Sequence, residues 1–261
     1  LLVKDLQGLY IQKIISMGRE ISLSRFPETY RYPRALTNTL VFRRELKPSD
    51  FMLKCTDDKD KADFRVIKLM EGTLHTLSEI RVLKIQNGNV IASRDVSYAT
   101  VIERHHRTGN IGRGLVTGLG RFVGAIGQTI AHDSHNLIVA GSNPYDMALA
   151  AQAVANMQGG VALADNGKLL ASVKLDVAGL MSTEAARAVS RKKDLIEDEA
   201  KKLGLIAVKS PITSLSFISL AVIPELRLTD KGLFDVVKGT FVDVVVEKAQ
   251  NATTRGTRTT V

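Results

Sequence analysis

The pair Asn-Gly occurs twice in this chain, at Asn87-Gly88 and Asn166-Gly167, each time between runs rich in β-branched and aliphatic residues. The tightest hairpin turns need positive φ at both central positions, which asparagine tolerates and glycine adopts freely. These pairs therefore predict two antiparallel hairpins, 79–86 with 90–92 and 161–164 with 169–173. Further strands are expected at 64–70, 96–103, 125–131, 137–140 and 240–246. An apolar, β-rich run at 214–223 is too short to cross a bilayer, which takes about 20 residues.

Two segments break the strand pattern. In the first, Ser142 or Asn143 stands as N-cap, Pro144 near the first helical position and Asp146 in the electropositive first turn. Met147, Ala150, Ala151, Val154 and Met157 then form an apolar stripe, and Gly159-Gly160 end it. The second helix is expected over 183–203, started by Ser182 and stopped by Gly204, with Val189, Ile196, Ala200 and Leu203 inward. Glu197/Lys201 and Asp198/Lys202 are predicted to pair on its solvated face. Strands outnumber helices and hairpins recur. The fold class is thus α+β, a mixed or antiparallel sheet with two main helices.

The N-terminal part reads separately. Residues 10–15, a turn at 17–20 and a strand from 21 predict a hairpin ending near residue 23. Residues 24–50 carry three of the six prolines and little periodicity, as an extended connector would. The main α+β domain is expected over 51–247, and 248–261, with no apolar face, as a disordered tail. The chain begins Leu1-Leu2-Val3, without methionine or polar lead-in, which reads as the middle of a longer protein.

The net charge of +9 raises the question of nucleic acid. Much of the excess lies between Arg25 and Lys47 and in Lys248, Arg255 and Arg258. Zinc-finger spacing is absent, and few aromatics accompany the basic residues, which makes a poor stacking platform. Solvated surface charge is the better reading, with neither nucleic acid nor membrane as partner. A single cysteine, Cys55, rules out an internal disulfide and fits a reducing, cytoplasmic setting.

Three segments hold residues able to do chemistry. Glycines crowd 107–124, but Gly112-x-Gly114 is followed by Thr117 where a dinucleotide fingerprint needs glycine, so a flexible or tightly turning backbone is expected there. Glu103-Arg104-His105-His106 ends a strand. Glu103 and His105 share a face, either as an acid–base pair or as a surface ion pair. In Ala131-His132-Asp133-Ser134-His135-Asn136 the two imidazoles stand at the ends of a four-residue turn. Such a turn is either a polar corner or the lip of a site, with a carboxylate orienting an imidazole.

Four blocks taken together resemble one family: VIERHHRTGNIGRGLVTGLG (101–120), GAIGQTIAHDSHNLIVAG (124–141), GLMS (179–182) and PITSLSFISLAVIPELRLTDKGLFDV (211–236). In order and spacing they are similar to the C-terminal part of bacterial and archaeal adenine deaminases, of the amidohydrolase superfamily. The resemblance spans roughly 30–247, and residues 1–22 look like the end of the small β-sandwich that flanks the barrel in such enzymes. It implies metal-dependent hydrolysis of adenine to hypoxanthine and ammonia, with manganese or iron as the divalent metal and a homo-oligomer as the assembly. The superfamily's barrel begins with His-x-His, which is absent among His75, His105, His106, His132 and His135. The catalytic barrel is therefore expected outside this chain, which would be a companion domain holding no metal of its own. By the resemblance, His132, Asp133 and His135 are candidates to line the catalytic pocket. Glu103, His105, His106, Ser134 and Asn136 are candidates to contact the purine. Arg107 departs from the pattern, since a smaller residue, often glycine, is expected after the paired histidines. An alternative function of another class is a non-catalytic purine-binding or oligomerisation module.

Overall fold

The computed structural model describes residues 1–22, 31–56, 59–206 and 210–246. The expected tail at 248–261 lies outside them. Two compact units divide between Pro33 and Arg34. In the first, β1 (Leu2–Val3), β2 (Ile11–Ser16) and β3 (Arg19–Ile21) form a three-stranded antiparallel sheet in that order. The predicted hairpin is its β2–β3 part, with Ser16 opposite Arg19.

The second unit begins with a short helix, α1 (Arg34–Thr37), and a 3-10 turn at Pro48–Asp50. Its main sheet contains β4 (Lys61–Leu69), β5 (Thr76–Gln86), β6 (Asn89–Ile91), β7 (Ser97–Ile102), β8 (Ile111–Thr117), β9 (Ala125–Gln128), β10 (Leu137–Gly141), β11 (Gly160–Asp165) and β12 (Lys168–Lys174). Their spatial order is β12-β11-β9-β10-β7-β8-β4-β5-β6, and every neighbouring pair is antiparallel except β4 and β8. The sheet is mixed, as expected, and does not close into a barrel. Both Asn-Gly pairs turn as their chemistry requires: φ is 52° and 69° at Asn87 and Gly88, and 49° and 72° at Asn166 and Gly167.

Two layers cover the sheet. Along β10, Ile138 joins one apolar cluster and its neighbour Val139 the other, the period-two alternation of a strand buried on both faces. On Val139's side lie α2 (Pro144–Asn156) and the segment around Leu40 and Phe51. On Ile138's side lie α3 (Ala186–Lys202), the short α4 (Pro211–Ser216), and the hairpin of β13 (Leu226–Thr229) and β14 (Gly232–Asp235). A last strand, β15 (Thr240–Phe241), pairs with β14. None of these helices is long and apolar enough to cross a membrane.

The first helix starts as its sequence directs. The Asn143 side chain accepts the Asp146 amide at 2.9 Å, and Met147, Ala150, Ala151 and Val154 are buried. Two other expectations need correction. The second helix begins at Ala186 rather than Thr183, because the Asp176 carboxylate takes both the amide and the hydroxyl of Thr183 at 3.0 Å. Among its ion pairs are Lys193–Glu197, Asp198–Lys201 and Glu199–Lys202, in place of the two predicted i,i+4 pairs. Residues 214–223, β-rich in composition, form the end of α4 and a series of turns.

The glycine-rich stretch is the most informative difference. Gly118, Gly120 and Gly124 do turn, at φ of 88°, 99° and 77°. Gly112 and Gly114, however, lie inside β8, in the middle of the sheet. A Cβ on Gly112 would sit 1.8 Å from the Thr229 carbonyl oxygen, and one on Gly114 would sit 3.3 Å from Leu228. These two glycines let the β13–β14 hairpin approach the sheet.

Candidate functional site

The ends of β7 and β10 place the two histidine-bearing segments side by side, since the strands are antiparallel with Ile102 opposite Leu137. The chain leaving β7 turns at once around Glu103. Its carboxylate accepts the amides of His105, His106 (2.7 Å) and Thr108 (3.0 Å) and the Thr108 hydroxyl (3.1 Å). Burial works to raise the Glu103 pKa, but these donors outweigh it and hold the carboxyl below its usual range. Glu103 therefore meets His105 through the backbone amide, not through the ring. Its lone pairs serve the loop.

That loop carries His105 to the other segment, where its Nε2 lies 2.8 Å from the Ser134 carbonyl. The His106 ring is exposed, tilted beside His105 at 6.2 Å between centroids. Asp133 and Ser134 form the exposed tip of the turn. The His135 amide donates to Ala131 O at 2.6 Å, closing the loop from 131 to 135. The His132 ring packs at 4.8 Å on Phe217 and edge-on at 5.4 Å to His135. Asn136 is buried. Its Nδ2 donates to Asp230 at 3.2 Å, while its Oδ1 has no partner among the described residues.

Beneath the corner lies Arg104, whose role the sequence reading missed. It is 1% exposed and donates to His135 O, to Ala178 O at 3.0 Å and to Thr39 Oγ1 at 3.5 Å. Burial lowers its pKa to about 10, partly offset by Glu103. Gly179 makes room for it: a Cβ there would stand 2.9 Å from the guanidinium. The sequence gives little signal for it, because Arg104 stands between Glu103 and His105 just past an apolar strand, where an arginine reads as an outward charge. The loop from α4 completes the corner. Ser216 O accepts the His132 amide at 2.8 Å, and the Ser219 hydroxyl donates to His132 O at 3.0 Å.

Burial lowers the His135 pKa, as do His132, Arg104 and His105, while Asp133 opposes them. This imidazole stays neutral further into acid than an ordinary one. Among the described residues no three His, Cys, Asp or Glu side chains come together as a metal ion needs. A metal therefore does not fit the residues of this corner. Two depressions lie apart from the His132–His135 turn. One of about 350 Å³ is walled by Phe42, Arg43 and Ile111, with Glu103 at its side. The other, open and about 1090 Å³, is lined by His75, Leu74 and Val222.

The four blocks quoted above thus meet at one place. Glu103, Arg104 and His105 come from the first, the histidine turn from the second, Gly179 from the third, and Ser216, Phe217, Ser219 and Asp230 from the fourth. A family profile described as the adenine deaminase C-terminal domain matches residues 73–240. The chain belongs to the adenine deaminase C-terminal domain family. Among similar proteins, the adenine deaminase of Staphylothermus marinus is 37% identical over 250 residues, 94% of this chain and 41% of that protein. That of Methanococcoides burtonii is 38% identical over 250 residues, 95% of this chain and 42% of the relative. A Clostridium botulinum adenine deaminase is 35% identical over 252 residues, again 42% of its length. This adenine deaminase C-terminal domain chain spans about two-fifths of the curated relatives it matches.

Proposed function

We propose that this chain is the C-terminal part of an enzyme that hydrolyses adenine to hypoxanthine and ammonia, and that the His132–Asn136 corner closes the pocket where the purine reacts. The observation that supports this reading is the convergence of all four family blocks on that one corner, with Arg104 and Glu103 buried beneath it. A buried arginine and a carboxylate with four donors are costly to assemble and serve to hold a surface loop in one conformation. His132 and Phe217 offer aromatic surface to a flat base. Neutral His135 offers a hydrogen bond without a second charge. Manganese or iron, implied by the resemblance, would belong to the barrel rather than to this chain. Adenine, the barrel and further copies in a homo-oligomer are the proposed partners, in the cytoplasm.

The chain supplied alone with manganese and adenine is expected to release no ammonia. Release at the rate of an intact deaminase would overturn the division of labour. In a full-length relative, alanine at the position matching His135 should lower turnover at least about tenfold. A fall in melting temperature with turnover unchanged would leave the corner a structural turn. Calorimetry of the chain with adenine separates the other class of function, since micromolar binding with no turnover in any assembly marks a purine-binding module.

A further inference from the structure

The histidine turn closes on itself twice. Besides the His135 amide bond to Ala131 O, the Ala131 amide donates to Nδ1 of the His135 ring at 3.4 Å. A ring nitrogen that accepts from an N–H cannot carry its own proton, so the neutral ring must hold its proton on Nε2. Among the described residues that Nε2 has no hydrogen-bond partner. His105 provides the contrast. Its Nε2 faces the Ser134 carbonyl, which only accepts, so its Nε2–H is already used. The backbone holds the His135 ring through φ of 51°, through the 131–135 closure, and through Arg104 on its carbonyl. The groups around the ring are His132, Arg104, His105 and Asp133, three of them unfavourable to a second proton.

We propose that His135 is a tautomer-locked neutral donor whose Nε2–H is set to meet an unprotonated ring nitrogen of a heteroaromatic base. The ligand class rests on the adenine reading above; the tautomer rests on the turn alone. A neutral donor suits a neutral acceptor, because neither partner gives up the hydration of a charge. Such a bond also discriminates. A base with C–H in place of that one nitrogen leaves the donor buried and unpaired, which is penalised far more than a missing methyl contact.

Two measurements test this. Two-bond 1H–15N correlation on this chain reads the tautomer directly. The expected result for His135 is a pyridine-like Nδ1 and a pyrrole-like Nε2, persisting below the usual histidine pKa of about 6.5. A protonated Nδ1 in the neutral ring overturns the proposal whatever the ligand. The second measurement compares adenine with its 1-deaza, 3-deaza and 7-deaza analogues as ligands of a full-length relative. One analogue should bind at least about tenfold more weakly than adenine. That gap should survive His135→Gln, whose amide nitrogen reaches the Nε2 position, and vanish in His135→Asn, which reaches only the Nδ1 position. A gap that persists in His135→Asn, with adenine affinity or turnover lowered there, overturns the donor role while the corner remains part of the purine pocket. If His135→Asn changes neither adenine affinity nor turnover, the corner does not meet the purine and the pocket reading falls, with the tautomer decided separately by the spectrum.

Discussion

Glu103 and Arg107 show how much of the corner rests on single backbone choices. Arg107 stands at φ of 56°, in the left-handed region that disfavours a Cβ. The expectation of glycine at this position has that physical reason, and the chain carries arginine there under strain. Arg107→Gly should raise stability by about 1 kcal/mol, the relief of strain exceeding the entropy glycine adds to the unfolded chain. Urea denaturation checks this; an unchanged or lower midpoint contradicts it. Glu103→Gln should do the reverse. One carboxylate now accepts from four donors, and an amide presents its NH₂ group to at least one of them. A loss of about 2 kcal/mol is expected, with the His105 resonance shifted because its loop loosens. The burial of Arg104 is not legible from its neighbours along the chain: an arginine in a polar stretch after a strand usually faces solvent, and burial at 1% depends on carbonyls brought from residues 135 and 178.

Among the elements, local chemistry is a sound guide to turns and caps, though not to the exposed ion pairs of α3, whose long side chains choose other neighbours. The Asn-Gly hairpins, the Asn143 cap with Asp146 and the alanine-rich stripe of α2 each involve groups a few residues apart. Reading failed where the partner was distant. The start of α3 moved because Asp176 captured Thr183. The glycines of β8 suggest turning backbone when taken in isolation, whereas Gly112 and Gly114 answer to Thr229 and Leu228 more than a hundred positions away. Their spacing of two, on one face of a strand, was the available signal. Gly112→Ala should cost about 3 kcal/mol or more, because the contact at 1.8 Å is with backbone that cannot rotate away. Amide exchange should rise first in the β13–β14 hairpin. A variant with native exchange there would mean that the hairpin rides further from the sheet.

For the whole molecule, acid acts on groups at the strand ends and in the loops around the main sheet. His135 has a lowered pKa when folded, so the unfolded chain binds the extra proton first. Stability should begin to fall as pH drops below about 6.5. The carboxyls of Glu103, Asp50 and Asp176 are also held low, each against the opposing effect of burial. Their contribution is complete above the unfolded carboxyl range near 4 and is lost as pH falls through the folded values. Chemical denaturation across pH should therefore show two descending steps, the upper one missing in His135→Asn. A single step near pH 4 in the native chain would contradict the account of His135. The α+β class, the hairpins, the caps and the family blocks are legible along the chain, because they depend on turn chemistry, periodicity and residue order. That the four blocks share one corner, that Glu103 serves the loop and that Arg104 lies beneath it emerges only in the folded molecule. Those facts depend on which distant carbonyls and amides the folded sheet brings within hydrogen-bonding distance, and spacing along the chain does not contain that information.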